Sequence, residues 1–245
     1  MRKWGQHLLI DERVAKREVD YAEITKSDTV LEIGPGKGIL TKILAERASK
    51  VIAIEIDKRF ANYLEKILPE NVEIIHADVM DIDLREIQFD KVVSNLPFEI
   101  SSPITFKLLE TNFSKAVIIY QKEFAKRIVA RPRSKDYSRL SVVMYYKTIS
   151  RILETVPKTA FRPIPKVDGA IVEIVPRESP AFFVVDENFF YEFLNRAFSN
   201  KRKTLGKIVK NYYGIEIDKK FYRKRIEELE PEEIGELCNH ILERI

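Results

Sequence analysis

Within four consecutive residues, Asn95-Leu96-Pro97-Phe98, the chain sets two hydrogen-bond acceptors beside an aromatic face. An amine on a heteroaromatic ring is a poor nucleophile, because its lone pair is delocalised into the ring. Acceptors aimed at its two N–H bonds encourage that lone pair to localise and attack a carbon electrophile. The Asn95 side-chain oxygen and the Leu96 backbone carbonyl are acceptors of that kind, and Pro97 fixes the direction of the chain. Phe98 adds a surface on which a base can stack, worth on the order of 1–3 kcal/mol. Asn and Pro also build ordinary turns, so the tetrapeptide gains meaning only from what surrounds it.

Three earlier features supply that context. Leu31-Glu32-Ile33-Gly34-Pro35-Gly36-Lys37-Gly38 places glycines at alternate positions, where they allow a tight turn and close backbone approach to a ligand. The spacing differs from the Gly-x-Gly-x-x-Gly of dinucleotide sites and suits a nucleoside ligand with no pyrophosphate to cradle. About twenty residues later, Glu55 closes an apolar run where a carboxylate can accept from ribose hydroxyls. Asp57 competes for that role, although its position suits a helix cap. Asp78, in His76-Ala77-Asp78, is placed to accept from an adenine amino group.

These residues need strand tips to hold them. Thr29–Ile33, Val51–Ile54, Val72–Ile75, Lys91–Ser94 and Ala116–Tyr120 read as buried strands. Helical patterns separate them at Ile39–Arg47, Lys58–Leu68, Pro103–Glu110 and Lys122–Ala130, the third starting with Ser102 as cap and Pro103 in its first turn. The alternation predicts an α/β fold, a parallel sheet with helices on both faces, and ligands bind such sheets at the C-terminal strand ends. Val142–Lys147 and Ala170–Val175 read as two further strands that finish the sheet. Beyond Pro176 the pattern becomes helical, with Pro231 opening a last helix. The expected domains are therefore 1–180 for catalysis and 181–245 as a small helical domain.

Composition narrows the class. The single cysteine, Cys238, excludes intramolecular disulfides and cysteine-based zinc sites, and three histidines argue against a histidine-rich metal centre. No apolar run reaches the length of about 20 residues that a membrane span needs, and the start lacks a signal-peptide pattern. A soluble, cytoplasmic protein is expected, with no metal, and a monomer as the default. Net charge is only +4, but it is unevenly spread. Residues 195–225 hold eleven Lys or Arg against two acids, and 226–245 hold seven acids against one base. With a second basic stretch that includes Lys126, Arg127, Arg131 and Arg133, the Lys201-Arg202-Lys203 run suggests a phosphate-contacting surface, although any one run is as readily a solvated face.

Gly5-Gln6-His7-Leu8-Leu9, Glu32–Gly38, Asn95–Phe98 and Phe161-Arg162-Pro163-Ile164-Pro165-Lys166-Val167-Asp168-Gly169 occur in one order along nearly the whole chain. In that order they resemble the KsgA-type ribosomal RNA adenine dimethyltransferases. The resemblance implies a Rossmann-like class I methyltransferase sheet with a small helical C-terminal domain for RNA recognition. It implies S-adenosyl-L-methionine as cofactor and dimethylation of the N6 amines of two adjacent adenosines near the 3′ end of small-subunit (16S) rRNA. The partner it implies is that rRNA, within a pre-ribosomal small subunit. By position it assigns His7, Leu9, Gly34, Glu55, Asp78 and Asn95 to the cofactor. Asn95 also meets the target amine, Phe98 one face of the base, and Phe161 the other. Phe98 stands where many relatives have Tyr, which keeps the stacking face and loses a hydroxyl. His7 stands where bacterial members commonly have Asn.

Three rivals share parts of this pattern: a large-subunit rRNA adenine methyltransferase of the erythromycin-resistance type, an assembly or transcription factor that keeps the fold with little catalysis, and a DNA adenine methyltransferase. Leu96 weighs against the last, whose motif usually carries a second proline there. The intact Asn95–Phe98 and acid series weigh against loss of catalysis.

Overall fold

A computed structural model describes residues 7–245 of the chain; Gly5 and Gln6 of the N-terminal motif lie outside the described residues. In chain order the elements are β1 (Leu8–Leu9), α1 (Glu12–Ala22), β2 (Thr29–Ile33), α2 (Ile39–Arg47), β3 (Lys50–Glu55), α3 (Lys58–Ile67), β4 (Val72–His76), β5 (Lys91–Asn95), α4 (Ser101–Leu108), β6 (Lys115–Gln121) and α5 (Lys122–Ile128). There follow α6 (Arg139–Lys147), β7 (Thr148–Val156), β8 (Phe161–Arg162), β9 (Gly169–Pro176), α7 (Glu187–Ser199), α8 (Leu205–Tyr213), α9 (Lys219–Tyr222) and α10 (Pro231–Leu242).

The chain divides into two compact units. One runs through Ala125 and resumes at Ser150–Pro176; the other takes Lys126–Ile149 and Arg177–Ile245. A single cut at 180 does not describe this division, because the segment 126–149 belongs with the later helices.

The first unit holds a seven-stranded sheet in the order β4-β3-β2-β5-β6-β9-β7. β4, β3, β2, β5 and β6 run parallel, and β9 pairs antiparallel to β6. Helices cover both faces. Val117 and Ile119 of β6 share one apolar cluster with Val14, Ala15 and Val19 of α1 and with Leu40 and Leu44 of α2. The pleat turns Tyr120 to the other face, where its hydroxyl lies 2.9 Å from that of Thr105 on α4. Strands buried on both sides read as the continuous Val/Ile runs seen in the sequence.

Two details depart from expectation. Val142–Lys147 lies within helix α6, not in a strand. Leu140, Val142, Val143, Met144 and Tyr146 are all buried, so the segment shows no polar face, and a short apolar run leaves helix and strand undivided. The Ser141 hydroxyl accepts from the Ser138 N–H at 3.0 Å and stabilises the start of the helix. The outer strand of the sheet is instead β7, whose Arg151 and Glu154 mask it as polar sequence; charges are a common protection of an edge strand. Helix α4 begins at Ser101, not at Pro103, and Ser102 does not cap it; Ile100 precedes the first turn with no side-chain cap.

The second unit gathers α6, α7, α8, α9 and α10 around aromatic side chains. Tyr146 packs against Phe182 and Phe190 with ring centroids 4.8 and 5.2 Å apart, and Phe193, Ile208, Ile234 and Leu237 are fully buried. The turn before α6 is fastened within the same unit by Tyr137, whose hydroxyl donates to the Leu229 carbonyl at 3.1 Å.

Candidate active site

The strand order reverses between β2 and β5, so the C-terminal ends of these two strands form the crevice that open α/β sheets use for ligands. Their ladder joins Val30–Leu31 to Lys91–Val92, and the strands part beyond it. Ser94 holds the parting edges together: its hydroxyl accepts from the Ile33 N–H at 3.3 Å and donates to the Ile33 carbonyl at 2.6 Å. The residue that follows on each side is one of the sequence candidates, Gly34 after Ile33 and Asn95 after Ser94.

The glycine loop has the conformation its spacing suggested. Gly34, Gly36 and Gly38 have φ of 74, 58 and 78°, the left-handed region that favours glycine. A Cβ on Gly36 would lie 2.6 Å from Leu8 Cδ2, and one on Gly34 would lie 3.6 Å from the Pro97 ring. The loop is thus pressed between the N-terminal segment and the Asn95 motif. Glu55, at the tip of β3, is buried and accepts from the Gly36 N–H at 3.0 Å and the Asp57 N–H at 2.8 Å. Burial raises its pKa against those two hydrogen bonds. A carboxylate has about four lone-pair directions, so two remain for ribose hydroxyls. Asp57 caps α3 by accepting from the Arg59 N–H, which separates the two competing acids. Asp78 follows β4, half-buried, and turns its Oδ1 to the Met80 N–H at 2.9 Å.

Asn95 carries the most informative geometry. Its Nδ2 donates to the His7 carbonyl at 3.2 Å, and its Oδ1 is buried with no hydrogen-bond partner. A buried acceptor without a donor costs on the order of 1–3 kcal/mol, so this atom is poised for an N–H that a ligand would bring. Leu96 is buried, and Pro97 and Phe98 are half-buried beside it. His7, Leu8, Gly34, Asn95, Leu96, Pro97 and Phe98 enclose a pocket of ≈ 20 Å³, about enough for one water molecule.

Phe98 and Phe161 face each other edge to face, with centroids 6.1 Å apart at 67°. A base between two parallel rings needs about 7 Å. Phe161 is fully buried in the same cluster as Val93 and Ile119, so opening the slot falls to Phe98. Leu9 is also buried and pairs with Phe161 in the β1–β8 ladder.

Sequence reasoning missed several supporting residues: Leu8 against Gly36, Ser94 between the strands, and the Pro163 carbonyl, 2.7 Å from His7 Nδ1. It also missed Glu18, an acid on the apolar stripe of α1 formed with Val14, Ala15, Val19 and Ala22. That stripe has helical period and could have been found. Glu18 and Glu32 are both buried, and desolvation dominates in both cases, placing Glu32 at about 8 with Glu55 adding to the rise, and Glu18 well above its usual range with Glu32 adding to the rise.

All the basic candidates belong to the second unit. Lys126 and Arg127 are on α5, Arg131 and Arg133 precede α6, and Lys201-Arg202-Lys203 lie between α7 and α8; all seven are exposed. Two other bases of the same run are paired with acids. Lys224 pairs with Glu233 at 2.9 Å and Lys220 with Glu236 at 2.5 Å, both acids being on α10. Among the described residues no group of His, Cys, Asp and Glu could hold a metal ion, and no helix is long and apolar enough to cross a membrane.

The parallel order with the antiparallel strand β9 set between β6 and the outer strand β7, the glycine cradle and the acceptor at the tip of β5 together define a Rossmann-like methyltransferase. Similarity to known proteins narrows this class. The sequence matches the family described as Ribosomal RNA adenine dimethylase over residues 1–241, and the chain belongs to that family. It is 42% identical to the probable ribosomal RNA small subunit methyltransferase A of Methanococcus maripaludis strain C5, with 100% of this chain and 98% of the relative covered. To the probable ribosomal RNA small subunit methyltransferase A of Methanosarcina acetivorans it is 46% identical, covering 98% and 93%. Among solved structures, a dimethyladenosine transferase from Plasmodium falciparum matches with TM-score 0.84 at 30% identity, covering 97% of this chain and 98% of that one. The 23S rRNA methyltransferase ErmE matches with TM-score 0.70 at 27% identity, covering 96% and 99%.

Proposed function

We propose that this protein transfers methyl groups from S-adenosyl-L-methionine to the N6 amines of two adjacent adenosines near the 3′ end of small-subunit rRNA, two methyls to each. The observation that carries the reading is the buried, unpartnered Oδ1 of Asn95 beside Phe98. An acceptor held at that point has no structural use, and an aromatic amine is the donor it fits. The small-subunit target, in preference to the large-subunit one, is supported by relatives 42 and 46% identical over almost their whole length.

The cofactor fits the residues present. The left-handed glycine cradle admits a close ligand, Glu55 keeps lone pairs for ribose, and Asp78 lies at the next strand tip for the adenine amino group. Gly34 and the backbone at Leu9 complete this set, with Asn95 at its chemical end. When bound, S-adenosyl-L-methionine supplies an electrophilic methyl on a cationic sulfur that leaves as a neutral thioether.

The residues of the chain do the positioning. Asn95 Oδ1 and the Leu96 carbonyl accept the two N–H bonds of the target amine, turning its lone pair toward the methyl carbon. As the N–C bond forms, the amine becomes cationic and is stabilised by the same two acceptors; its proton then leaves to solvent, and no general base of shifted pKa is required. Phe98 swings from its edge contact with Phe161 to stack on the flipped base, with Phe161 as the fixed wall behind. The exposed bases Lys126, Arg127, Arg131, Arg133, Lys201, Arg202 and Lys203 bind the RNA backbone. The acting form is a cytoplasmic monomer, and the substrate is a pre-ribosomal small subunit.

The test is incubation of purified protein and labelled methyl donor with immature small subunits, large subunits or duplex DNA, followed by mapping of modified bases. Label on two adjacent adenosines of small-subunit RNA is expected. Label confined to large-subunit RNA or DNA refutes the reading, and no label on any of them favours a binding-only assembly factor. The variant Asn95→Ala is expected to abolish labelling while RNA binding persists.

A further inference from the structure

His7 makes contacts unlike those of a residue that only touches a cofactor. Its backbone carbonyl accepts from Asn95 Nδ2 at 3.2 Å. Its ring Nδ1 is 2.7 Å from the Pro163 carbonyl, and its ring lies over Phe98 with centroids 5.7 Å apart and planes inclined by 31°. The residues that follow it pair with β8, Leu8 opposite Arg162 and Leu9 opposite Phe161. One residue therefore touches the acceptor of the site, one wall of the base slot and the segment that carries the other wall.

Resting on the adenine-amine reading above, we propose that His7 is a positioning residue for the base: it fixes which way the Asn95 amide points. A primary amide is nearly symmetric in shape, and turning it over would aim NH2 at the target amine. Two donors would then face each other and the lone pair would gain nothing. A backbone carbonyl can only accept, so the His7 carbonyl holds the NH2 of Asn95 and leaves Oδ1 toward the pocket, where it is buried and unpartnered.

The ring keeps that carbonyl in place. The Pro163 oxygen also accepts only, so His7 Nδ1 carries the hydrogen and donates it. Through this bond the imidazole fastens residue 7, and with it the carbonyl that Asn95 Nδ2 reaches, to the 161–163 segment, whether or not Phe98 moves. The side chain thus acts on the reaction through Asn95, and the cofactor is not needed for its effect.

The experiment compares His7→Ala, His7→Asn and His7→Phe with the unaltered protein, measuring kcat on small subunits and the methyl-donor Kd by calorimetry. A third measurement, on protein alone, follows the Asn95 side-chain NH2 signals by 15N-resolved NMR. His7→Ala is expected to lower kcat by about tenfold to a hundredfold, to leave the methyl-donor Kd within about twofold, and to merge or broaden the Asn95 NH2 signals through flipping. His7→Asn sets an amide nitrogen close to the place of Nδ1, renews the bond to Pro163 and recovers most of kcat. His7→Phe keeps a ring without a donor and does not.

Three results would overturn the assignment. One is a raised Kd for S-adenosyl-L-methionine with kcat unchanged at saturation, which returns His7 to the cofactor. Another is an unaltered kcat in His7→Ala. The third is an Asn95 NH2 signal that does not respond to any His7 variant. If the unaltered protein labels no substrate, the functional reading fails by itself, and the NMR outcome still decides whether His7 sets the amide.

Discussion

Glu32 lies at the centre of the parallel sheet, one residue beyond the last ladder pair of β2 and β5, and is buried with Oε2 unpartnered. Burial, with the nearby Glu55, lifts its pKa from 4.5 to about 8. The folded protein then keeps Glu32 protonated through neutral pH, whereas the unfolded chain ionises it above its ordinary value. The unfolded state binds fewer protons in that window, so stability falls as pH rises from about 4.5 to about 8. The loss is about 1.4 kcal/mol for each pH unit, on the order of 3 kcal/mol by pH 7. Glu32→Gln keeps the shape and removes the titration. It is expected to stabilise the sheet unit by on the order of 2–3 kcal/mol at pH 7, with the gain shrinking to nothing near pH 4.5. Urea unfolding followed by circular dichroism between about pH 5 and pH 8 measures the gap, and hydrogen exchange of β2 and β5 amides isolates this unit. Glu18 is also held neutral by burial, chiefly through desolvation and to a lesser degree through Glu32, so the comparison is repeated in a Glu18→Gln background to remove its slope from both proteins. Parallel stability curves for the two proteins would show that Glu32 is charged in the fold, and the reasoning would be wrong.

Three further outcomes are expected. Both Gly34→Ala and Gly36→Ala strain a left-handed backbone, at about 1–2 kcal/mol each; only Gly36→Ala meets Leu8, so it alone should speed exchange of the Ile10 N–H, which donates to the Ala160 carbonyl at 2.8 Å. Replacing Lys201, Arg202 and Lys203 with serine should flatten the salt dependence of RNA binding by roughly two to three units of slope, while Lys220→Ala with Lys224→Ala leaves it unchanged because Glu236 and Glu233 already hold those charges; equal effects would refute the division. Phe161→Ala should cost about 3–5 kcal/mol of stability as a core deletion, whereas Phe98→Ala should lose most activity at a much smaller stability cost, a contrast read by thermal melting beside a methylation assay.

How far the sequence foretold the structure depended on how local each signal was. The five parallel strands lay within a residue or two of their expected bounds, because strands buried on both faces leave unbroken Val/Ile runs between helical patterns; β4, expected to be buried, is instead a partly exposed edge strand with Glu73 and His76 turned to solvent. The glycine loop was equally legible, since three left-handed positions demand three glycines. Helix α6 was misread because most of its positions are buried and its exposed one, Tyr145, is aromatic and not charged, and β7 was passed over because an edge strand carries charges. Phe161 would have been called core from its neighbours, and it is buried as core; its assignment to the base came from resemblance alone. What could not be foreseen were links across long sequence separations. Asn95 to His7 and His7 to Pro163 join residues 88 and 156 positions apart, and nothing in either local sequence announces them.

The chain passes between its two units three times, after Ala125, Ile149 and Pro176. During synthesis this imposes a schedule. β6 leaves the ribosome early, but its antiparallel neighbour β9 follows only after the segment 126–149 has been made, and that segment waits in turn for the helices after Arg177. At about 5–20 residues per second, the roughly 50 residues from 126 to 176 take a few seconds to appear. Through that interval the apolar edge of β6 has no partner strand and Leu140, Val142 and Met144 have no core to enter. A nascent chain of this design has its greatest need of chaperone shielding in mid-synthesis, and a stop codon placed just before Arg177 would leave α6 permanently without the helices that bury it.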